Sequence, residues 1–322
     1  MVVNSIFVQI ASYHDYELPR TIINCINNSS GLTHINIGVH NIYYEKDDTG
    51  IENIIDVHKS SANKSFEQHV YSTRWIKINN ISSKAPKNIG VGMARNIANS
   101  LYDGEDYYLQ IDSHMKFEKN WDLNLISDYI LYKDNGCNPI ITAYPASYNY
   151  DTKKTIYQYN PDVTKIKFSK DVDGLFLKNK IPNQEAVPCE DNGIFIKSIS
   201  AASIFSEGSI ASIVPNKKIF FWGEEILMAA RFFTHGYDLM VPSFQNLFHL
   251  YLDTNKNLEH NFRRSVFNDF KEESTALDNI SKKEVYDIFT NNIIGEEALG
   301  NIRTLKDFEF YSGLDFSSGE IK

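Results

Sequence analysis

Short apolar runs and amphipathic stretches alternate along the first 150 residues of the chain. Apolar runs of this length predict buried β-strands, and they occur at 5–11, 35–43, 75–78, 106–112 and 139–146. Apolar residues at helical spacing predict helices between them, at a stretch that Pro19 opens, at 91–101 and at 121–132. Strands separated by helices in this order predict an α/β fold with a mostly parallel central sheet, covered on both faces.

The second half of the chain is less regular. Its polar, Lys- and Asn-rich segment at about 148–190 predicts a variable insertion or a long flexible loop over the site. A strand, an amphipathic helix ended by Gly236 and a further strand are predicted at 193–205, 224–235 and 237–241. The sequence after Leu250 is polar and helical. We therefore expect one domain over 1–252 and a small C-terminal, mostly helical lobe over 253–322.

Composition narrows the class of protein. Apolar residues make up 42% and aromatic residues 13% of the chain, which supports a packed core. The formal net charge of −9 argues against a nucleic-acid partner, because binding a phosphate backbone needs a basic face. The N-terminus lacks the basic segment of a signal peptide, and no run approaches the ~20 apolar residues of a membrane span. We expect a cytoplasmic protein.

Two polar clusters directly follow predicted strands, at 12–15 and at 112–114. Ligands of parallel sheets bind at the carboxyl ends of strands. Asp112 and His114 are two residues apart, so their side chains leave the same face and can share a divalent cation. Manganese suits this mix of ligands better than zinc. The same spacing also fits an ordinary turn, in which Asp112 caps the next element and His114 lies at the surface.

Five further positions each allow a functional and a structural interpretation. Glu224 and Glu225 can act on a substrate, or can simply favour the start of the predicted helix through its dipole. Trp222 can stack on a sugar ring or belong to the core. Arg95 can bind an anion or pair with a surface acid. His249 lies in an apolar stretch, where a lone histidine is commonly a satisfied core residue.

Three blocks of sequence resemble the polypeptide N-acetylglucosaminyltransferases that act on hydroxyproline. The longest block covers 90–117 and includes LYDGEDYYLQIDSHMKF. A second block, FVQIASYHD at 7–15, has His14 where the family usually has Arg. The third, at 220–238, contains FFWGEEI followed by MAAR and THGYD. The resemblance covers roughly 5–252, and it fades in the insertion and in the C-terminal lobe.

The resemblance implies a retaining glycosyltransferase of the GT-A fold that uses a UDP-sugar donor and Mn²⁺ or Mg²⁺. Carried over by position, the metal ligands would be Asp112, His114 and His249. Contacts to the donor would come from Ser12, Tyr13, His14, Arg95, Asp112, Ser113 and Trp222. Glu224 and Glu225 would lie at the reaction centre.

These roles fit the chemistry of sugar transfer. A cation and Arg95 would stabilise the charge of the departing diphosphate, and an acid would stabilise the oxocarbenium-like sugar. The sugar would be GlcNAc or GalNAc, and the acceptor a hydroxyl group on a protein or glycan. Two alternatives remain open at this point: a metal-dependent nucleotide-sugar hydrolase or nucleotidyltransferase, and a catalytically silent nucleotide or sugar binder.

Overall fold

The computed structural model describes residues 3–43, 60–63, 66–72, 75–84, 89–151, 154–157, 163–168, 184–188, 195–251, 271–318 and 320–321. Its strands are β1 (Ser5–Tyr13), β2 (His34–Tyr43), β3 (Ser60–Asn63), β4 (Phe66–Ser72), β5 (Ile76–Lys84), β6 (Tyr107–Asp112), β7 (Met115–Phe117), β8 (Pro139–Thr142), β9 (Ala146–Asp151), β10 (Lys154–Tyr157), β11 (Thr164–Phe168), β12 (Gln184–Pro188), β13 (Ser203–Glu207), β14 (Asp238–Met240), β15 (Leu247–His249), β16 (Leu314–Asp315) and β17 (Glu320–Ile321). Its helices are α1 (Leu18–Asn28), α2 (Val91–Asn99), α3 (Trp121–Asp134), a 3₁₀ helix (Gly208–Ser212), α4 (Glu224–Thr234), α5 (Lys271–Thr290) and α6 (Leu305–Ser312).

Among the described residues, nine strands form one sheet in the order β14-β8-β13-β6-β1-β2-β5-β4-β3. The central strands β6, β1, β2 and β5 are parallel, and β14 is parallel to β8. β13 runs antiparallel between β6 and β8, and β4 runs antiparallel to β5. The predicted α/β fold with a mostly parallel central sheet is therefore confirmed.

β1 shows why this sheet lies at the centre of the molecule. Successive side chains of a strand point to opposite faces. Ile6, Val8 and Ile10 belong to a buried cluster with α1 and α3, whereas Phe7 belongs to a second cluster with α4, α5 and α6. Burial on both faces explains the continuous apolar run that predicted this strand. β5 extends beyond the predicted 75–78. The prediction was too short because the second half of the strand is polar, although much of it is buried.

A smaller sheet lies beside the first, in the order β10-β9-β15-β7. The predicted strand 139–146 is divided here: β8 ends at Thr142, and β9 begins at Ala146. The described parts of the expected 148–190 insertion are themselves strands, namely the end of β9, β10 and the β11–β12 hairpin.

The strand predicted over 193–205 was wrong in its position. A turn in which the Ser203 N–H donates to the Ser200 carbonyl (3.0 Å) precedes β13, so the ladder begins only at Ser203.

The C-terminal residues pack directly on the segment that precedes α4. On α5, Asp278 Oδ1 accepts a hydrogen bond from the Trp222 N–H (3.1 Å), and Ser281 Oγ accepts one from the Phe220 N–H. Val285, Ile288 and Phe289 of α5 lie in the same apolar cluster as α4. Residues 252–270, the first part of the expected lobe, lie outside the described residues. None of the helices that the structure describes is both long and apolar enough to cross a bilayer.

Helix α2 begins in close backbone contact with the same segment. The Val91 N–H donates to the Phe220 carbonyl (2.7 Å), and the Gly92 N–H donates to the Ile219 carbonyl (2.9 Å). A Cβ atom at Gly92 would lie 2.0 Å from the Asn216 carbonyl oxygen, a backbone atom that cannot move aside freely. The lack of a side chain at Gly92 therefore allows α2 to approach the segment that leads into α4.

This contact predicts that replacing Gly92 by alanine changes stability in the direction opposite to the one that helix propensity alone predicts. Alanine in a helix is favoured over glycine by about 1 kcal/mol, yet Gly92→Ala should destabilise the protein by about 2 kcal/mol or more, because overpacking forces a backbone shift. Urea unfolding measures the change. Gly295→Ala is the matched control, because nothing lies within 4 Å of a Cβ there. Equal stability of the two variants would contradict the proposed close contact.

Candidate active site

A cavity of about 670 Å³ lies where the parallel strands end. Its wall includes Ser12 and Tyr13 at the end of β1 and Asp112 at the end of β6. Helix α2 contributes Arg95, and α4 contributes its first turn. The location agrees with the general rule that ligands of α/β sheets bind at the carboxyl ends of strands.

Asp112, His114 and His249 form a possible metal site on one side of this cavity. One ligand atom from each residue lies within 4.8 Å of the others. Asp112 and His114 come from the end of β6 and the turn that follows it. His249 is brought to them because β15 pairs antiparallel with β7, which places His249 opposite Met115. The Leu250 N–H also donates to the His114 carbonyl (3.1 Å).

Asp15 holds the ring of His114 in one orientation. Asp15 Oδ2 accepts hydrogen bonds from His114 Nδ1 (2.7 Å) and from Ser113 Oγ (2.6 Å). Burial alone would lower the pKa of His114, but the charge of Asp15 outweighs it and raises the pKa to about 9. A metal that binds at Nε2 would have to displace the proton there, while the contact with Asp15 keeps the other proton on Nδ1. Such a carboxylate partner is the usual support of a metal-binding histidine.

The charge states of the other two residues, Asp112 and His249, suit a cation. Burial by itself would raise the pKa of Asp112, but the hydrogen bond from His249 and the charge of Arg95 hold that pKa far below its usual range. Burial lowers the pKa of His249, which favours the neutral imidazole that metals bind. His249 Nε2 lies 3.2 Å from Asp112 Oδ2. Adjacent ligands of an octahedral ion with bonds of about 2.1 Å are about 3 Å apart, so these residues fit a divalent cation.

Arg95 links the possible metal site to the first turn of α4. Its Nη2 donates to Asp112 Oδ1 (2.8 Å), and its Nε lies 2.5 Å from Glu224 Oε1. A third contact runs from Nη1 to the Ile111 carbonyl (3.2 Å). The side chain is almost fully buried, so its charge is compensated by these two carboxylates. The guanidinium thus fixes the position of Asp112 relative to Glu224.

Glu224 and Glu225 begin α4 directly after Gly223, whose left-handed backbone (φ 98°) makes the turn into the helix. Glu225 Oε1 accepts a hydrogen bond from the Ala201 N–H (3.0 Å), and Oε2 accepts one from Gln184 Nε2 (2.5 Å). Burial raises the pKa of Glu225 to about 7, despite the hydrogen bond from Ala201. Burial also raises the pKa of Glu224, against the opposing effect of Arg95. Both acids therefore lie in the buried wall of the cavity.

The structure brings nearly all of the expected site residues together. The cavity wall contains Ser12, Tyr13, Arg95, Asp112, Ser113, His114, Trp222, Glu224, Glu225 and His249. His14 does not line the cavity: its backbone is left-handed (φ 47°), and its ring lies 5.4 Å from the ring of Tyr16.

Sequence reasoning missed several residues of the wall, among them Asp15, Tyr144, Gln184 and Tyr251. The signal for Asp15 was present, because it ends the polar cluster after the first strand. The three others lie in sequence with no pattern that marks a site.

Comparison with known proteins identifies the class of protein. A family model described as "Glycosyltransferase (GlcNAc)" matches residues 5–318. The chain belongs to this family. A search of curated proteins finds no match. The family match spans both the central sheet and the C-terminal helices, up to residue 318.

Two solved structures are similar to this chain. The crystal structure of GalNAc-T7 with UDP, GalNAc and Mn²⁺ has 12% identity and a TM-score of 0.59, and the alignment covers 98% of this chain. The glycosyltransferase spans only 58% of the length of that chain. The other, TarS residues 1–349 of S. aureus in complex with UDP-GlcNAc, has 11% identity and a TM-score of 0.38, with coverage of 88% and 72%. The likeness to GalNAc-T7 supports a GT-A fold.

The raised pKa of Glu225 predicts a pH-dependent stability. Its folded pKa of about 7 exceeds the ordinary 4.5, so its contribution is fully present below about pH 4.5 and is lost as the pH rises through about 7. Glu225→Gln imitates the protonated carboxyl, and should raise Tm relative to the unmodified protein at pH 8.5 more than at pH 5. Thermal melts at both pH values test this. Glu272→Gln, in the exposed first turn of α5, should leave the profile unchanged. Parallel profiles for Glu225→Gln and the unmodified protein would contradict the assignment.

Proposed function

We propose that this glycosyltransferase is a metal-dependent hexosaminyltransferase that moves GlcNAc or GalNAc from a UDP-sugar to a hydroxyl acceptor, with retention. The observation that carries the proposal is the Asp112–His114–His249 cluster, joined through Arg95 to the acids of α4 inside one cavity. The name of the matching family includes GlcNAc. GalNAc-T7, which shares the fold, was crystallised with UDP, GalNAc and Mn²⁺.

Asp112, His114 and His249 would hold Mn²⁺ or Mg²⁺. When bound, the cation would supply positive charge beside the departing diphosphate, where negative charge develops. Asp15 would keep His114 in its binding orientation through the 2.7 Å hydrogen bond at Nδ1. Ser113 supports Asp15 in turn through its hydroxyl.

One part of the cavity wall suits the nucleoside. Tyr13, Ile42 and Phe221 give it an apolar wall, against which a pyrimidine ring can pack. The hydroxyl of Ser12 is buried there without a hydrogen-bond partner in the described residues, and a buried polar atom of this kind is stabilised by a ligand that offers a partner. We assign uracil and ribose to this wall.

In this proposal the two glutamates act on the reacting sugar, and Arg95 positions the groups around it. We expected Arg95 to contact the diphosphate. Its ion pairs support a positioning role instead, in which it sets the distance between Asp112 and Glu224. Glu224, together with Glu225, would stabilise the positive charge of the oxocarbenium-like sugar. Trp222, which also lines the cavity, would pack against the donor.

The acceptor in this proposal is a hydroxyl group on a protein, such as hydroxyproline, or on a glycan. The sequence resemblance to hydroxyproline-modifying enzymes supports the first choice. A glycosyltransferase releases UDP faster when its acceptor is present, whereas a hydrolase is indifferent to the acceptor and a silent binder releases none. The test therefore includes both kinds of acceptor.

The test measures free UDP from UDP-GlcNAc, UDP-GalNAc and UDP-glucose, with Mn²⁺ or EDTA, and with hydroxyproline peptides or simple glycans. We expect metal-dependent release that an acceptor accelerates. Asp112→Asn should lower this rate by about 100-fold or more, the usual scale for losing transition-state charge stabilisation. Asp103→Asn is the control at an exposed aspartate of the same segment. Equal release in EDTA, or no release from any donor, would overturn the proposal.

The contact between Asp15 and His114 predicts a change in metal affinity. Asp15→Asn keeps the shape of the side chain but removes the charge that holds the proton on Nδ1, so the affinity for Mn²⁺ should fall about 10- to 100-fold. Electron paramagnetic resonance of free Mn²⁺, titrated with protein in the presence of UDP, measures this affinity without turnover. Asp103→Asn should bind Mn²⁺ as the unmodified protein does. Unchanged affinity in Asp15→Asn would show that Asp15 only stabilises the turn.

A further inference from the structure

The β11–β12 hairpin places one amide side chain on the wall of the cavity. Val163, Ile166 and Phe168 are buried in the main apolar cluster and anchor the hairpin to the core. The Lys197 N–H also donates to the Ile166 carbonyl (3.2 Å). Gln184 lies directly opposite Phe168 in the antiparallel register. Residues opposite each other share a face of the hairpin, so Gln184 lies on the face that is packed against the molecule.

The two ends of the Gln184 amide have different surroundings. Nε2 donates to Glu225 Oε2 (2.5 Å). When Glu225 is ionised its carboxylate can only accept, and this sets the orientation of the amide. The oxygen at the other end, Oε1, is buried and has no hydrogen-bond partner among the described residues. A buried acceptor without a partner costs stability unless a ligand or water satisfies it. Gln184 therefore offers an acceptor to a ligand of the cavity.

We propose that Gln184 is a specificity residue for the transferred sugar, and that its Oε1 accepts a hydrogen bond from an amide N–H or a hydroxyl group on the sugar ring. This inference rests on the proposed function above. The amide N–H and the hydroxyl group share one chemistry, because each is a hydrogen-bond donor on the sugar ring, either next to the anomeric carbon or further along the ring. Neither the metal cluster nor the nucleoside wall includes Gln184.

The position of Gln184 relative to the metal cluster supports a contact with sugar. The contacts run from Asp112 to Arg95, from Arg95 to Glu224, and then from the neighbouring Glu225 to Gln184. The diphosphate is assigned to the Asp112 end of this series, and the sugar is the group attached to the diphosphate. The groups at the far end of the series therefore face the sugar. The Ala201 N–H holds Glu225 from the other side (3.0 Å), so the pair is fixed before a donor binds.

Calorimetry with the full chain and Mn²⁺ tests the inference, with UDP, UDP-glucose and UDP-GlcNAc as ligands. Gln184→Met keeps the length of the side chain and removes the amide. It should bind UDP as the unmodified protein does, and should bind at least one sugar nucleotide about 5- to 100-fold more weakly, the range for leaving a buried polar partner unpaired. Lys165→Met is the matched control, on the same hairpin and on the opposite face from Ile166.

The loss of affinity for each ligand identifies which group on the sugar is the hydrogen-bond donor to Gln184. A loss confined to UDP-GlcNAc assigns the contact to the amide N–H, and an equal loss for UDP-glucose assigns it to a hydroxyl. Unchanged affinity for both sugar nucleotides would overturn the inference, as would an equal loss for UDP itself.

Failure of the proposed function would look different, because it would appear in the unmodified protein, either as binding of none of the three ligands or as binding without acceptor-stimulated release of UDP. If Gln184→Met does not fold, Gln184→Asn carries the test. Asparagine keeps the amide but has a side chain one methylene shorter, so the amide no longer reaches the sugar. We expect the same loss of affinity for the same sugar nucleotide.

Discussion

The buried guanidinium of Arg95 is the constraint on which the arrangement of the site depends. It lies between Asp112 at the end of β6 and Glu224 at the start of α4. One cation between two carboxylates leaves one net negative charge, which burial makes costly unless a further positive group is near. A divalent cation at Asp112, His114 and His249 would supply that charge. The same ion pairs that hold the site together thus favour a metal.

The fold supports this ion-pair network from both sides of the segment before α4. Helix α2, which carries Arg95, begins in backbone contact with residues 219–220, and only glycine fits at Gly92. Helix α5 holds the same segment through Asp278 and Ser281. The first turn of α4 therefore has little freedom to move relative to β6. The C-terminal helices contribute to the geometry of the site although none of their described residues lines the cavity.

The sequence predicted those parts of the site that a local pattern encodes. β1 and β6 are apolar runs and α4 has apolar residues at helical spacing, so the clusters at their ends could be placed at one edge of the sheet. His249 could not be derived in this way. It reaches Asp112 through β7 and β15, strands of three residues each, which are too short to show a period. Only the resemblance to a family indicated it.

Errors arose where tertiary contacts override local preference. The strand expected over 193–205 is displaced because a turn at Ser200 and the pairing of β13 with β6 decide where the ladder begins. His14, expected at the donor by analogy, is not among the residues that line the cavity, and Asp15 is the residue of this cluster that contacts His114. The polar sequence of the hairpin gave no sign that Gln184 would reach the site.

The residues of the cavity wall therefore differ in how much stability is lost when they are substituted. Asp112, Arg95 and Glu224 are coupled by buried charge, so removing one of them leaves the others uncompensated, at a cost of about 3–5 kcal/mol. Gln184 is joined to this network only through a neutral amide on a hairpin whose anchors, Ile166 and Phe168, lie in the core. Substitution at Gln184 can alter contacts to a sugar without breaking an ion pair, although it removes one hydrogen bond from Glu225. In the proposed assignment, selectivity for the sugar would vary on the hairpin, while the groups that handle the diphosphate would stay fixed on the sheet and helices.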